Sequence, residues 1–207
     1  MARSNLHVIY DTAATLLGQG LISDPEATDG KLINLLRGHV ESVAEEVCQE
    51  NDWPTCRTRV KLIEEPLATG EALPGPFTKR YPLPLDYLRM LDLDSEASGI
   101  YGNYSVETDF NTQRRVMLAD FEPGFIAYAR LPPYDRLDPL LRSAIAARLA
   151  GRIARSITES DARAREVEVA AQQAFDKAVA STVFERSPDV DRPPSWRDAM
   201  WAGGARY

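Results

Sequence analysis

The chain has 207 residues, 44% of them hydrophobic, which suits one core-bearing domain with extensions. With 24 basic residues against 31 acidic ones, the net charge is −7, which disfavours general binding to nucleic-acid phosphates. No stretch reaches the roughly 18 uninterrupted apolar residues of a membrane helix. Asp11 and its neighbouring threonines break any signal-like apolar run, so the expectation is a protein that is cytosolic when made.

In chain order, the first candidate helix covers about residues 5–18, with Gly18 and Gly20 as stop signals. A second is expected over about 30–52. There Leu32, Leu35, Leu36, Val40, Val43 and Val47 recur at three- and four-residue spacing, and Asp29 stands ahead as a cap. Pro54 removes a backbone donor and restricts Trp53, so this helix should end near Asn51–Asp52.

From about residue 56 to 131 the chain becomes proline-rich, with short β-prone segments. These are Arg59–Ile63, Tyr87–Leu93, Tyr104–Thr108, Arg115–Leu118 and Phe125–Leu131. Turns are expected at Pro74-Gly-Pro76, Ser98-Gly99 and Pro123-Gly124, and the whole reads as one small antiparallel sheet inserted between helices.

Helical periodicity returns at Asp138, which can cap, followed by Pro139 at the first helical position. Leu141, Ala144, Ile145, Leu149, Ile153 and Ile157 trace one apolar stripe over about 138–157, a helix of roughly 30 Å at 1.5 Å per residue. Thr158-Glu-Ser-Asp161 marks a restart, with Ser160 or Thr158 as the cap. The next helix, about 160–184, turns Val167, Ala171, Ala174, Phe175 and Ala178 inward. Two long helices joined by so short a turn should form an antiparallel hairpin. The fold expected is therefore α+β and mainly α: a helical domain with a β-rich insertion over 1–184, and an extended tail over 185–207. In that tail a proline-broken linker precedes Trp196, Arg197, Met200, Trp201 and Tyr207, apolar anchors that a free tail would not usually carry.

Motifs for chemistry are missing. Gly18-Gln-Gly20 lacks a preceding strand and a third glycine, so it is no dinucleotide loop. No serine nucleophile elbow occurs, and Cys48, Cys56, His7 and His39 show no catalytic or metal-ligand spacing. Cys48 and Cys56 do not form a disulfide framework and read as small, partly buried apolar residues, and His39 as a surface or core-edge residue. Asp92/Asp94 and Asp109/Asp120 are the carboxylate pairs that could be imagined as acid and base, although spacing cannot set their separation. Glu45-Glu46 and Glu64-Glu65 read as solvated faces, and the arginines of 142–165 as inter-subunit or solvent contacts. Tyr10, Tyr81, Tyr87 and Tyr101 read as core or sheet aromatics, because no basic groove accompanies them. The expectation is a non-enzymatic protein with no cofactor and no metal.

One ordered series of segments carries further information. Asn51-Asp-Trp-Pro-Thr-Cys-Arg-Thr-Arg-Val-Lys-Leu62 is followed by Arg80-Tyr-Pro-Leu-Pro-Leu-Asp-Tyr-Leu-Arg-Met-Leu91 and Tyr104-Ser-Val-Glu-Thr108. Tyr128-Ala-Arg-Leu-Pro-Pro-Tyr-Asp-Arg-Leu-Asp-Pro-Leu-Leu141 then runs into Ala144-Ile-Ala-Ala-Arg-Leu-Ala150. In this order, over roughly residues 5–180, the chain resembles the tail tubular protein A and head–tail connector adaptor family of tailed bacteriophages. That resemblance implies a four-helix bundle with a β-rich insertion, assembled as a ring, usually a dodecamer, at the neck of the virion. It implies a portal protein above, a nozzle or stopper protein below, and DNA passing through without specific binding. It also implies that the C-terminal extension reaches the portal, which would give Trp196, Arg197, Met200, Trp201 and Tyr207 a docking role. The alternative is a monomeric or dimeric interaction module, not of viral type, that uses the same aromatic tail to recruit one partner.

Overall fold

The computed structural model describes residues 4–22, 24, 30–67, 72–94, 102–110, 112–158 and 160–182. It contains four α-helices and six β-strands, with the strands inserted between the second and third helices. Helix α1 (Asn5–Leu16) is capped by Ser4, whose hydroxyl accepts the His7 amide hydrogen bond at 3.2 Å. It stops where Gly18 takes a left-handed φ of 70°. There the Gly18 amide donates to the Thr15 carbonyl and the Gln19 amide to the Ala14 carbonyl, the paired bonds of a Schellman ending.

Helix α2 (Lys31–Glu50) buries Ile33, Leu36, Val40, Val43, Ala44, Val47 and Cys48. Its stripe is thus centred on Ile33, and the expected Leu32 and Leu35 are only partly buried flanks packed against the core. Gly30 occupies the N-cap without a side-chain bond, and the expected cap, Asp29, lies outside the described residues. After the helix, a 3-10 turn (Pro54–Cys56) redirects the chain into the first strand.

Helix α3 (Pro139–Ile157) starts as its sequence indicates, with the Asp138 carboxylate accepting from the Leu141 amide at 2.8 Å. Thr55 donates its hydroxyl to the other Asp138 oxygen, tying this cap to the 3-10 turn. Beyond the expected stripe, Ala146, Ala147, Ala150 and Ala154 are also fully buried, because the other three helices all pack on α3. Ile157, counted in that stripe, is only partly buried. Helix α4 (Asp161–Thr182) begins from Ser160, whose carbonyl accepts the Ala164 amide, while Thr158 closes α3. Its buried residues are Ala164, Val167, Ala171, Phe175 and Ala178, with Ala174 half-buried. The two helices run antiparallel: Arg148 reaches Gln172, Gly151 faces Ala171, and Arg155 reaches Glu168.

The strands form two three-stranded antiparallel sheets, where a single sheet was expected. One has β6 (Phe125–Ala129) at its centre, between β1 (Arg57–Lys61) and β3 (Arg89–Asp94). The other has β5 (Arg115–Ala119) between β2 (Lys79–Pro82) and β4 (Tyr104–Thr108). Strand β2 lies outside the expected segments; Pro82 is tolerated in it because β2 is an edge strand of its sheet. In β3 the register shifts between Met90 and Asp92, which leaves Leu91 as a bulge. Where β1 leaves its sheet, Glu65 bridges to Arg80 of β2 and links the two sheets.

A helical cluster includes Trp53, Cys56 and Leu137 alongside all four helices. A second cluster of Leu62, Tyr81, Leu83, Tyr87, Met117, Ala119, Ile126 and Tyr128 lies within the β region. Tyr10, Tyr81 and Tyr87 are buried as expected, and the Tyr87 and Tyr128 rings stack with centroids 5.9 Å apart. The expected turn at Ser98-Gly99 and Tyr101 lie outside the described residues, as does the end of the last helix at Phe184.

Candidate interaction surfaces

The tail residues singled out for docking, Trp196, Arg197, Met200, Trp201 and Tyr207, all lie outside the described residues. Asp109 and Asp120 do not come together as acid and base. Asp109 and Asp120 sit at opposite ends of the β4–β5 ladder, which pairs Tyr104 with Ala119 and Thr108 with Arg115. Asp109 engages Thr112 and Arg80, while Asp120 accepts from Asn103 at 3.1 Å. Asp92 faces Arg57 at 3.5 Å, and the side chain of Asp94 is not among those described. Among the described residues, no three His, Cys, Asp or Glu side chains could hold a metal ion.

His7 serves the frame. His7 holds the Ile22 carbonyl at 2.7 Å, and the buried Asp11 accepts the Ile22 amide at 2.9 Å, so together they pin the segment after α1. Sequence reasoning missed this pair, whose signal is a four-residue spacing on one helix face.

The arginines of α3, expected as inter-subunit or solvent contacts, are solvent-exposed at Arg152 and Arg155 and also bind within the chain. Their partners lie within the chain: Arg142 binds Asn5, Arg148 binds Glu50, Arg152 binds Glu46, and Arg155 meets Glu168 at 2.8 Å. The Arg148 guanidinium also lies 4.4 Å above the Phe175 ring. These long cations span the seams of α3 with α1, α2 and α4, a placement that depends on which helices become neighbours. Glu46, Glu64 and Glu65 have side chains open to solvent, as expected, and are also ion-paired, the last two with Lys79 and Arg80. Arg80 is only 13% exposed and lies between Glu65 at 2.9 Å and Asp109 at 3.6 Å. It thereby ties the exit of β1 and the tip of the β4–β5 hairpin to β2.

That hairpin presents the clearest surface for a partner. In β4, every residue except Ser105 is exposed, and Phe110 at the tip is 87% exposed. The Asp109 amide donates to the Arg114 carbonyl, and the Asp120 amide to the Asn103 carbonyl. With the observed register, residues 103, 105, 107 and 109 are therefore the hydrogen-bonded positions facing β5. The amides and carbonyls of Tyr104, Val106 and Thr108 point outward, and no described residue pairs with them. An exposed edge of this kind is a template for an added strand. The sequence marked Tyr104–Thr108 as a strand but held no signal that it is an edge, because strand order is set by distant pairings. Ile63 (82% exposed) adds a second exposed apolar point, beside a groove of about 440 Å³ lined by Val60–Pro66 and Pro82–Pro84.

The described residues thus define an α+β protein: a helical core around α3, joined to two small sheets that carry a free edge. No protein-family model matches the chain, and no curated protein matches it. No described helix is long and apolar enough to cross a membrane.

Proposed function

We propose that this chain is a head–tail adaptor, a structural subunit of a ring between portal and tail in a tailed bacteriophage or phage-like particle. In this reading the helices form the family's four-helix bundle, and twelve subunits close the ring. The genome passes through the lumen, and a nozzle or stopper protein docks below. The protein is made in the bacterial cytoplasm and works at the virion neck, without cofactor, catalysis or membrane.

The structural observation that supports this reading best is the outward-facing backbone of β4. A ring needs a heterologous contact, one surface meeting a different surface on the next copy around a closed circle. A strand edge beside Tyr104, Val106 and Phe110 suits such a contact. The net charge of −7 suits a lumen along which DNA slides without sticking.

Portal engagement tests the reading. Mixed with purified portal, the full chain should form a ring complex visible by electron microscopy. Without residues 186–207 it should stay folded and fail to attach. Trp196→Ala alone should weaken binding by about 2 kcal/mol as a buried anchor would. Normal attachment of the truncated chain would remove the docking role of the tail.

The edge makes a separate prediction. Val106→Pro deletes an amide that makes no bond to β5, so the monomer's stability should change by less than about 1 kcal/mol. Ring assembly on portal, counted by native mass spectrometry, should be lost. Complete rings from this variant would show that β4 is not the contact.

A further inference from the structure

Cys48 lies in the last turn of α2, and Cys56 closes the 3-10 turn that leads into β1. Both are fully buried in the helical cluster. Their sulfur atoms are 2.8 Å apart, less than an ångström beyond the S–S bond length of about 2.05 Å. The backbone between them is already fixed. Trp53 donates its indole N–H to the Val47 carbonyl, and the amides of Cys56 and Arg57 both donate to the Trp53 carbonyl. On the far side, the Cys56 carbonyl accepts from the Arg130 amide just after β6.

We propose that Cys48 and Cys56 are an intrachain disulfide site, at which oxidation staples the end of α2 to the start of β1. The inference rests on sulfur geometry and is independent of the adaptor reading. The chain has only these two cysteines, so the intrachain product is unique. The oxidant is a low-molecular-weight disulfide such as glutathione disulfide. One cysteine, as thiolate, attacks a glutathione sulfur, breaking that S–S bond and expelling one glutathione. The second cysteine thiolate then attacks the protein sulfur of the mixed disulfide and expels the other glutathione. The protein loses two S–H hydrogens and gains one S–S bond. The two electrons and two protons leave on two glutathione thiols.

Reaction is slow while the core is closed. The hydrogen bond shared with Cys48, together with burial, pushes the Cys56 thiol well above the usual range, and exchange requires the thiolate. Linkage therefore passes through opening of the last turn of α2, and equilibrium is the proper measure of the site.

The experiment uses the full chain equilibrated in buffers of reduced and oxidised glutathione, once folded and once in denaturant. Remaining thiols are then trapped by alkylation and the products read by mass spectrometry. The folded chain should reach half-linkage at a ratio at least about tenfold more reducing than the denatured chain, since a fold that holds the sulfurs together stabilises the bond by about 1.4 kcal/mol or more. The linked form, lighter by two hydrogens, should melt on the order of 5 °C higher. The proposal is overturned if folding does not favour linkage, if single glutathione adducts dominate over the link, or if the linked form melts lower. All these readouts come from the natural chain, so they do not depend on any variant folding.

Discussion

Replacing Trp53 with alanine is expected to remove about 3–5 kcal/mol of stability, much of what a domain of this size has. Trp53 is fully buried, within the cluster that joins α2, the 3-10 turn and the start of α3. Its indole N–H donates at 2.8 Å to the Val47 carbonyl, one of the last four carbonyls of α2, which have no partner inside the helix. One side chain thus fills the joint between the helical and β regions and satisfies the end of the helix. Alanine would lose both functions and leave a cavity. Phenylalanine would keep much of the packing and lose the hydrogen bond, for a smaller cost of about 1–2 kcal/mol. Urea unfolding followed by circular dichroism measures both variants. A loss below about 1 kcal/mol for Trp53→Ala would mean that the joint repacks freely around the gap.

Raising the pH from about 10 to 12 should cost several kcal/mol of stability through the tyrosines. Burial pushes Tyr81, Tyr128 and Tyr134 up to about 12. Nearby carboxylates add to this: Glu64 and Glu122 for Tyr81, Asp86 for Tyr128, and Glu41 and Glu45 for Tyr134. Tyr128 donates its hydroxyl to Asp86 at 3.0 Å, so ionisation would set a phenolate against a carboxylate. In the unfolded chain these phenols titrate near 10. Between about 10 and 12 the folded state therefore holds protons that the unfolded state has released, and stability falls as pH rises. The contribution is complete below pH 10 and is lost by about pH 12. At about 1.4 kcal/mol per pH unit for each group over about two units, the three together come to at most about 8 kcal/mol, which solvent screening reduces to several kcal/mol.

Tyr81→Phe isolates one share of this effect. The Tyr81 hydroxyl is buried without a hydrogen-bond partner among the described residues, so removing it should be neutral or stabilising by up to about 1 kcal/mol at pH 7. The same variant should show a shallower alkaline loss in urea midpoints taken from pH 8 to 12. A midpoint that stays flat for the unsubstituted chain across this window would refute the assignment.

Much of the frame was legible because its signals are local. Asp138-Pro139 cap α3, Gly18 ends α1, and Trp53-Pro54 stop α2, each through bonds made within a few residues. Tyr104–Thr108 and Arg115–Ala119 were legible as strands, the latter to within one residue, from their own residues. Periodicity found most of the core but understated α3. A stripe counts the large apolar residues, whereas Ala146, Ala147, Ala150 and Ala154 are buried only because three helices surround them.

Of the surface candidates, the sequence marked the aromatic tail by composition alone, and that tail lies outside the described residues. What it could not determine was every relation between distant segments. Pairing Arg57 with Ala129 and Lys79 with Ala119 makes two sheets instead of one, and leaves β4 as an edge. The neighbours of α3 give its arginines partners within the chain. The turn after α2 brings Cys48 and Cys56 into contact, although their spacing alone marked them as bland apolar residues. Caps, stops and single strands follow from short-range bonding, so the sequence by itself determined them. Edges, ion-pair partners and sulfur contacts depend on which remote surfaces meet, and only the tertiary structure decided those.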